Sequence, residues 1–72
     1  MNFGEKLYKL RTENGLTQSE LGEEIGVSKQ MISRYEKGLD TPSINGLKLI
    51  AEKFNVSTDY LVGVKKQKEK SK

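Results

Sequence analysis

Glycine divides this chain into lengths that suit short helices and little else. Gly15, Gly26, Gly38 and Gly63 each follow a stretch whose apolar residues recur at helical spacing. A side chain able to cap a new helix stands two residues beyond the first two of them, at Thr17 and Ser28. A glycine just past a helix adopts the left-handed backbone that ends it. A Ser or Thr hydroxyl accepts one of the amides that a new helix leaves unpaired. The pattern therefore reads as stop followed by start. No stretch alternates apolar and polar residues with the period of a half-buried strand, and no internal repeat is present.

Each segment has its own signals. The first helix carries the stripe Phe3, Leu7 and Leu10 and stops at Asn14-Gly15. The second begins at Thr17, where Thr17-x-x-Glu20 fits a capping box, and Leu21 and Ile25 share one face. Gly22 lies mid-helix, where glycine is unfavourable, so a close approach by another helix is the expected reason for it. The third helix begins at Ser28, turns Ile32 and Tyr35 inward and ends at Lys37-Gly38. Gly26 is expected to supply the turn between the second and third helices, with Val27 plugging the angle. After a loop ending at Pro42, Ser43 caps a fourth helix with Ile44, Leu47, Ile50, Ala51 and Phe54 as its expected inner face. Gly46 within it costs about 1 kcal/mol relative to alanine. Ser57 caps a short fifth helix holding Tyr60 and Leu61, and Gly63 ends it.

Composition limits the chemistry. Seventy-two residues make one domain with one small core. The chain has neither cysteine nor histidine, which removes disulfides, the commonest metal ligands and the usual general base. Nucleophilic catalysis would need Ser or Lys with an unusual activator, and so small a bundle leaves little room for a pocket. An enzyme is not expected, nor is a cofactor or a metal. Glu20, Glu23 and Glu24 read as a solvated helix face, because no other ligand type joins them. No apolar run approaches the roughly 20 residues needed to span a bilayer. The opening MNFGEKLYKLR lacks the apolar stretch of about 7–15 residues that a signal peptide needs. A soluble cytoplasmic protein with no membrane partner is expected.

The net charge of +3 is unevenly placed. Residues 65–72 hold five lysines and Glu69, or +4, while residues 1–64 hold eight Lys/Arg against nine Asp/Glu, or −1. The expected folded domain, residues 1–64, is thus not basic overall, and only the placement of charge can argue for nucleic acid. The 65–72 tail lacks aliphatic and aromatic residues and is expected to be disordered, as a solvated end or as an arm that gains affinity by releasing counterions.

The informative stretch is 18–37, QSELGEEIGVSKQMISRYEK. With Ile32 and Tyr35 packed down, Lys29, Gln30, Ser33 and Arg34 are left facing outward, all polar and all able to bond base edges. This stretch resembles the helix-turn-helix of Cro/C1-type (XRE family) regulators. The matching features are Leu-Thr-Gln at 16–18, Gly22, Ile25-Gly26-Val27-Ser28, Ile32-Ser33, Tyr35-Glu36-x-Gly38, Pro42-Ser43 and Val56-Ser57-x-Asp59-Tyr60-Leu61-x-Gly63. The resemblance covers roughly residues 3–63, and the joint order and spacing of these features carry it.

The resemblance implies an all-α compact bundle of five short helices, a lambda-repressor-like DNA-binding domain with its helix-turn-helix at about 17–37 and its third helix in the major groove. It puts Lys29, Gln30, Ser33 and Arg34 at base-reading positions. Arg34 suits guanine and Gln30 adenine, each such pair discriminating by about 1–3 kcal/mol. Gln18, Ser28, Ser43 and Lys37 are the candidate phosphate contacts, which set register. It also implies an ion pair between Arg11 and Glu36. Leu49, Val62 and Val64 are candidate contacts of a homodimer that is weak alone or forms on DNA. The implied function is a transcriptional regulator, a repressor of phage or mobile-element type acting at a palindromic operator. The alternative is an antitoxin or adaptor using the same bundle to hold a protein partner such as a toxin or antirepressor. The chain departs from the family in residues 38–41, which carry no cation.

Overall fold

The computed structural model describes residues 1–63. Val64 and the 65–72 tail lie outside the described residues. Those described form five helices: α1 (Phe3–Glu13), α2 (Gln18–Ile25), α3 (Lys29–Glu36), α4 (Ile44–Phe54) and α5 (Thr58–Val62). None is long and apolar enough to cross a membrane.

Every helix starts on a side-chain cap. Thr17, Ser28, Ser43 and Ser57 each accept from the amide three residues on, as the sequence suggests. The first helix starts on Asn2, which the apolar pattern does not mark: Asn2 accepts from the Glu5 amide at 2.9 Å while the Glu5 carboxylate takes the Asn2 amide at 3.1 Å. The ends are equally local. Gly26 takes a φ of +79° and hands the chain directly from α2 to α3. At the end of α4 the left-handed residue is Asn55, with φ +56°, a conformation asparagine tolerates better than most residues.

The core draws on all five helices: Leu7 of α1, Leu21 and Ile25 of α2, Ile32 and Tyr35 of α3, Ile50 and Ala51 of α4, and Leu61 of α5. Phe3, Leu10, Val27, Leu47 and Phe54 are partly buried against it. Phe3 meets Tyr35 edge to face, with ring centroids 6.5 Å apart. One expectation needs correction. Ile44, expected on the inner face of α4, is 75% exposed as the first residue of that helix. Tyr60 is also exposed and lies under Lys6, whose Nζ sits 4.8 Å from the ring centroid and donates to the Tyr60 carbonyl at 2.5 Å. That contact ties α5 back to α1. Gly46 has a local reason, since a Cβ there would stand 3.0 Å from Cβ of Pro42.

The buried line of α1 is Gly4, Leu7 and Arg11, rotated from the expected apolar stripe. A Cβ at Gly4 would lie 2.5 Å from the carbonyl oxygen of Glu36 and 2.7 Å from that of Tyr35, so glycine alone lets the start of α1 press on the end of α3. Both obstacles are backbone and cannot swing aside. Gly4→Ala should therefore destabilise by about 1–2 kcal/mol as overpacking. Thermal melts followed by circular dichroism check this, and an unchanged midpoint would refute the close approach.

Candidate nucleic-acid interface

The angle between α2 and α3 rests on glycine at two places. Gly26 makes the turn, and Gly22 lets it close: a Cβ at Gly22 would lie 2.5 Å from the Val27 carbonyl oxygen. With Ile32 and Tyr35 buried, the opposite side of α3 carries Lys29, Gln30, Ser33, Arg34 and Lys37 at spacings of three and four. Lys29, Gln30, Arg34 and Lys37 are exposed and Ser33 is partly covered. Among the described residues no helix packs over this face.

Below that face lies a polar knot of three residues. Arg11, 9% exposed as a residue, donates from Nε to Glu36 Oε2 at 2.5 Å, from Nη2 to Glu36 Oε1 at 3.1 Å and from Nη1 to the Leu16 carbonyl at 2.8 Å. Its other face stacks near Tyr8, 5.3 Å from the ring centroid. The hydrogen bond to Glu36 raises the Arg11 pKa above its ordinary value, against the lowering effect of burial. Gln18 joins the knot, donating from Nε2 to Glu36 Oε1 at 3.0 Å. Helix α1, the start of α2 and the end of α3 are thus fastened at one point. Gln18, Ser33, Glu36 and Lys37 line a groove that continues onto Tyr8 and Lys9 of α1.

The other sequence candidates divide in two. Ser28 and Ser43 are spent as caps but keep a hydroxyl proton to donate, since each hydroxyl accepts the capping amide, at 3.1 and 3.2 Å. Leu49 and Val62 are exposed, on α4 and α5. Of the acidic residues on α2, Glu20 closes the Thr17 capping box and Glu24 pairs with Lys53 of α4 at 2.8 Å. Among the described residues no group of three or more His, Cys, Asp or Glu is arranged to hold a metal ion.

Two features of the site escaped sequence reasoning. One is the engagement of Gln18 with Glu36. The other is an ion pair between Arg34 and Asp40, in which Nε donates to Oδ2. Only the glycine that reverses the chain at 38 hinted that residue 40 returns toward residue 34.

Comparison with known proteins places this geometry. A family model described as helix-turn-helix matches residues 7–61. The HTH-type transcriptional activator BcrR of Enterococcus faecalis is 44% identical over 62 residues, covering 86% of this chain and 30% of that protein. Antitoxin PezA of Streptococcus pneumoniae is 38% identical over 61 residues, covering 85% of this chain and 39% of its own length. The chain thus spans less than half of either curated relative. Among solved structures, the P22 c2 repressor protein in complex with a synthetic operator superposes with a TM-score of 0.83 at 29% identity, covering 86% of this chain and 94% of that one.

Proposed function

The chain belongs to the helix-turn-helix family of Cro/C1-type DNA-binding transcriptional regulators, and from that premise we propose that it is a sequence-specific repressor that reads a palindromic operator with α3 in the major groove. The observation that carries the reading is the uncovered face of α3, where Lys29, Gln30, Ser33 and Arg34 stand together on a helix fixed by a glycine elbow. Arg34 is suited to the N7 and O6 acceptors of guanine and Gln30 to the N6 and N7 of adenine. Gln18, Ser28, Ser43 and Lys37 hold phosphates and set the register. Gln18 contributes from a fixed position, because Glu36 already restrains its amide.

A second copy, meeting through Leu49 and Val62, binds the other half-site about one helical turn, roughly 34–36 Å, away. The similarity to an operator-bound repressor supports repression by occupancy. Such a protein acts in the cytoplasm, where its DNA is. The similarity to an antitoxin favours a second reading, in which Leu49 and Val62 hold a protein partner. Co-purification with such a partner, undiminished by Arg34→Ala, would select that reading.

Selection of bound sequences from random duplexes tests the proposal. A two-fold symmetric site should emerge. Arg34→Ala should then weaken binding about tenfold and flatten preference at one base pair, a change worth about 1.4 kcal/mol. Gln18→Ala should weaken all duplexes more evenly. Binding without sequence preference at any salt concentration would overturn the reading.

A further inference from the structure

Arg34 and Asp40 are joined by the way α3 ends. Gly38, at φ +77°, reverses the chain. The Gly38 amide donates to the Tyr35 carbonyl at 3.1 Å and the Leu39 amide to the Arg34 carbonyl at 2.9 Å. This paired closure, a Schellman motif, brings the residue after Leu39 back alongside the last turn. That residue is Asp40, and its Oδ2 takes the Nε proton of Arg34. The pairing uses one edge of the guanidinium only. Among the described residues the Arg34 side chain makes no other hydrogen bond or ion pair, it is half exposed, and its Nη1 and Nη2 remain open.

We propose that Asp40 is a specificity-determining positioning residue, which grips Arg34 by Nε so that the outer pair of nitrogens is presented ready-oriented to a guanine edge. The inference rests on the reading of α3 as the base-reading helix. Two consequences of an acidic residue here oppose each other. Its charge repels phosphate, which lowers affinity for every duplex. Its hydrogen bond restrains a long side chain before binding, which removes an ordering cost at the one base pair Arg34 reads. An unrestrained Arg34 would also reach backbone phosphates, which carry no sequence information. The position that departs from a cation-bearing loop thus exchanges non-specific attraction for discrimination.

The pair is exposed and contributes little to stability, so replacing Asp40 leaves the fold intact. The experiment measures affinities of the protein and of Arg34→Ala, Asp40→Ala and Asp40→Asn for the selected operator and all its single-base variants, with a thermal melt for each. Arg34→Ala is expected to flatten preference at one base pair. Asp40→Ala is expected to lower discrimination at that same pair by roughly three- to tenfold, to tighten binding to unrelated duplex, and to leave the melting midpoint unchanged. Asp40→Asn keeps an acceptor oxygen and should retain part of the discrimination. Adding Asp40→Ala to Arg34→Ala should cost no further discrimination. Tighter binding of Asp40→Ala to all duplexes alike, with the preference intact, would show that Asp40 is a repelling charge and overturn the inference alone. An Arg34→Ala variant with unchanged site ranking would overturn the base-reading role, and the inference with it.

Discussion

A Glu36→Ala variant should lose about 3–5 kcal/mol, the usual result of removing one partner of a buried ion pair. A core of this size supplies only about 3–5 kcal/mol in total, so the variant should be largely unfolded at 37 °C. The loss comes from what stays behind. Arg11 is buried, and without the carboxylate only the Leu16 carbonyl still accepts from its guanidinium, while the Gln18 amide loses its acceptor as well. Glu36→Gln keeps the shape and one acceptor oxygen and should fall between. Arg11→Met combined with Glu36→Leu should recover much of the loss, because no charge is then stranded.

The raised Arg11 pKa sets the pH behaviour. A cation whose pKa is higher folded than unfolded contributes in full below its unfolded value and loses the contribution only as pH rises through the folded one. For an arginine both lie far above neutrality, so the contribution is constant across the physiological range. Urea titrations at two pH values and two salt concentrations, followed by circular dichroism, measure all of this. A Glu36→Ala midpoint close to the wild-type value would show that the knot does not hold the three helices together.

The second large effect is at the elbow. Gly22→Val should destabilise by about 3 kcal/mol, the upper end for overpacking, partly offset by the better helix propensity of valine. A Cβ at position 22 would meet the Val27 carbonyl oxygen at 2.5 Å and the Ser28 carbonyl carbon at 3.3 Å, so relief must come from parting α2 from the turn. DNA affinity should fall further than stability does, since the face of α3 is re-aimed relative to Gln18 even in molecules that remain folded. Gly22→Ala, with less bulk, should show a weaker form of both effects. The check is anisotropy on the operator well below the melting temperature. Unchanged affinity in a folded Gly22→Val would mean that the angle between the helices does not matter to binding.

These predictions mark where local reading succeeds. Thr17, Ser28, Ser43 and Ser57 were legible as caps, because a cap is a bond between a side chain and an amide three residues on. The stripe Lys29, Gln30, Ser33 and Arg34 was legible as the complement of Ile32 and Tyr35 on one short helix. Ile44 was misplaced because helical spacing shows which residues share a side but not whether a neighbour covers it. The capping box of Asn2 and Glu5 is as local as the others but starts ahead of the apolar stripe, where no preceding stop signal marks a helix start. The close seat of Gly4 on the end of α3 lies 32 positions away in sequence and left no local trace.

By itself the order of residues determined five short helices, their starts and stops, and the polar side of the third, because helix bonding spans four residues and capping three. Tertiary structure decided what those sides meet. It drew Gln18 into the pair formed by Arg11 and Glu36, pressed Gly4 and Gly22 against backbone, and returned Asp40 to Arg34. The reason is that burial and hydrogen bonding between segments depend on how whole helices are set against one another, which the nearest neighbours along a chain do not encode.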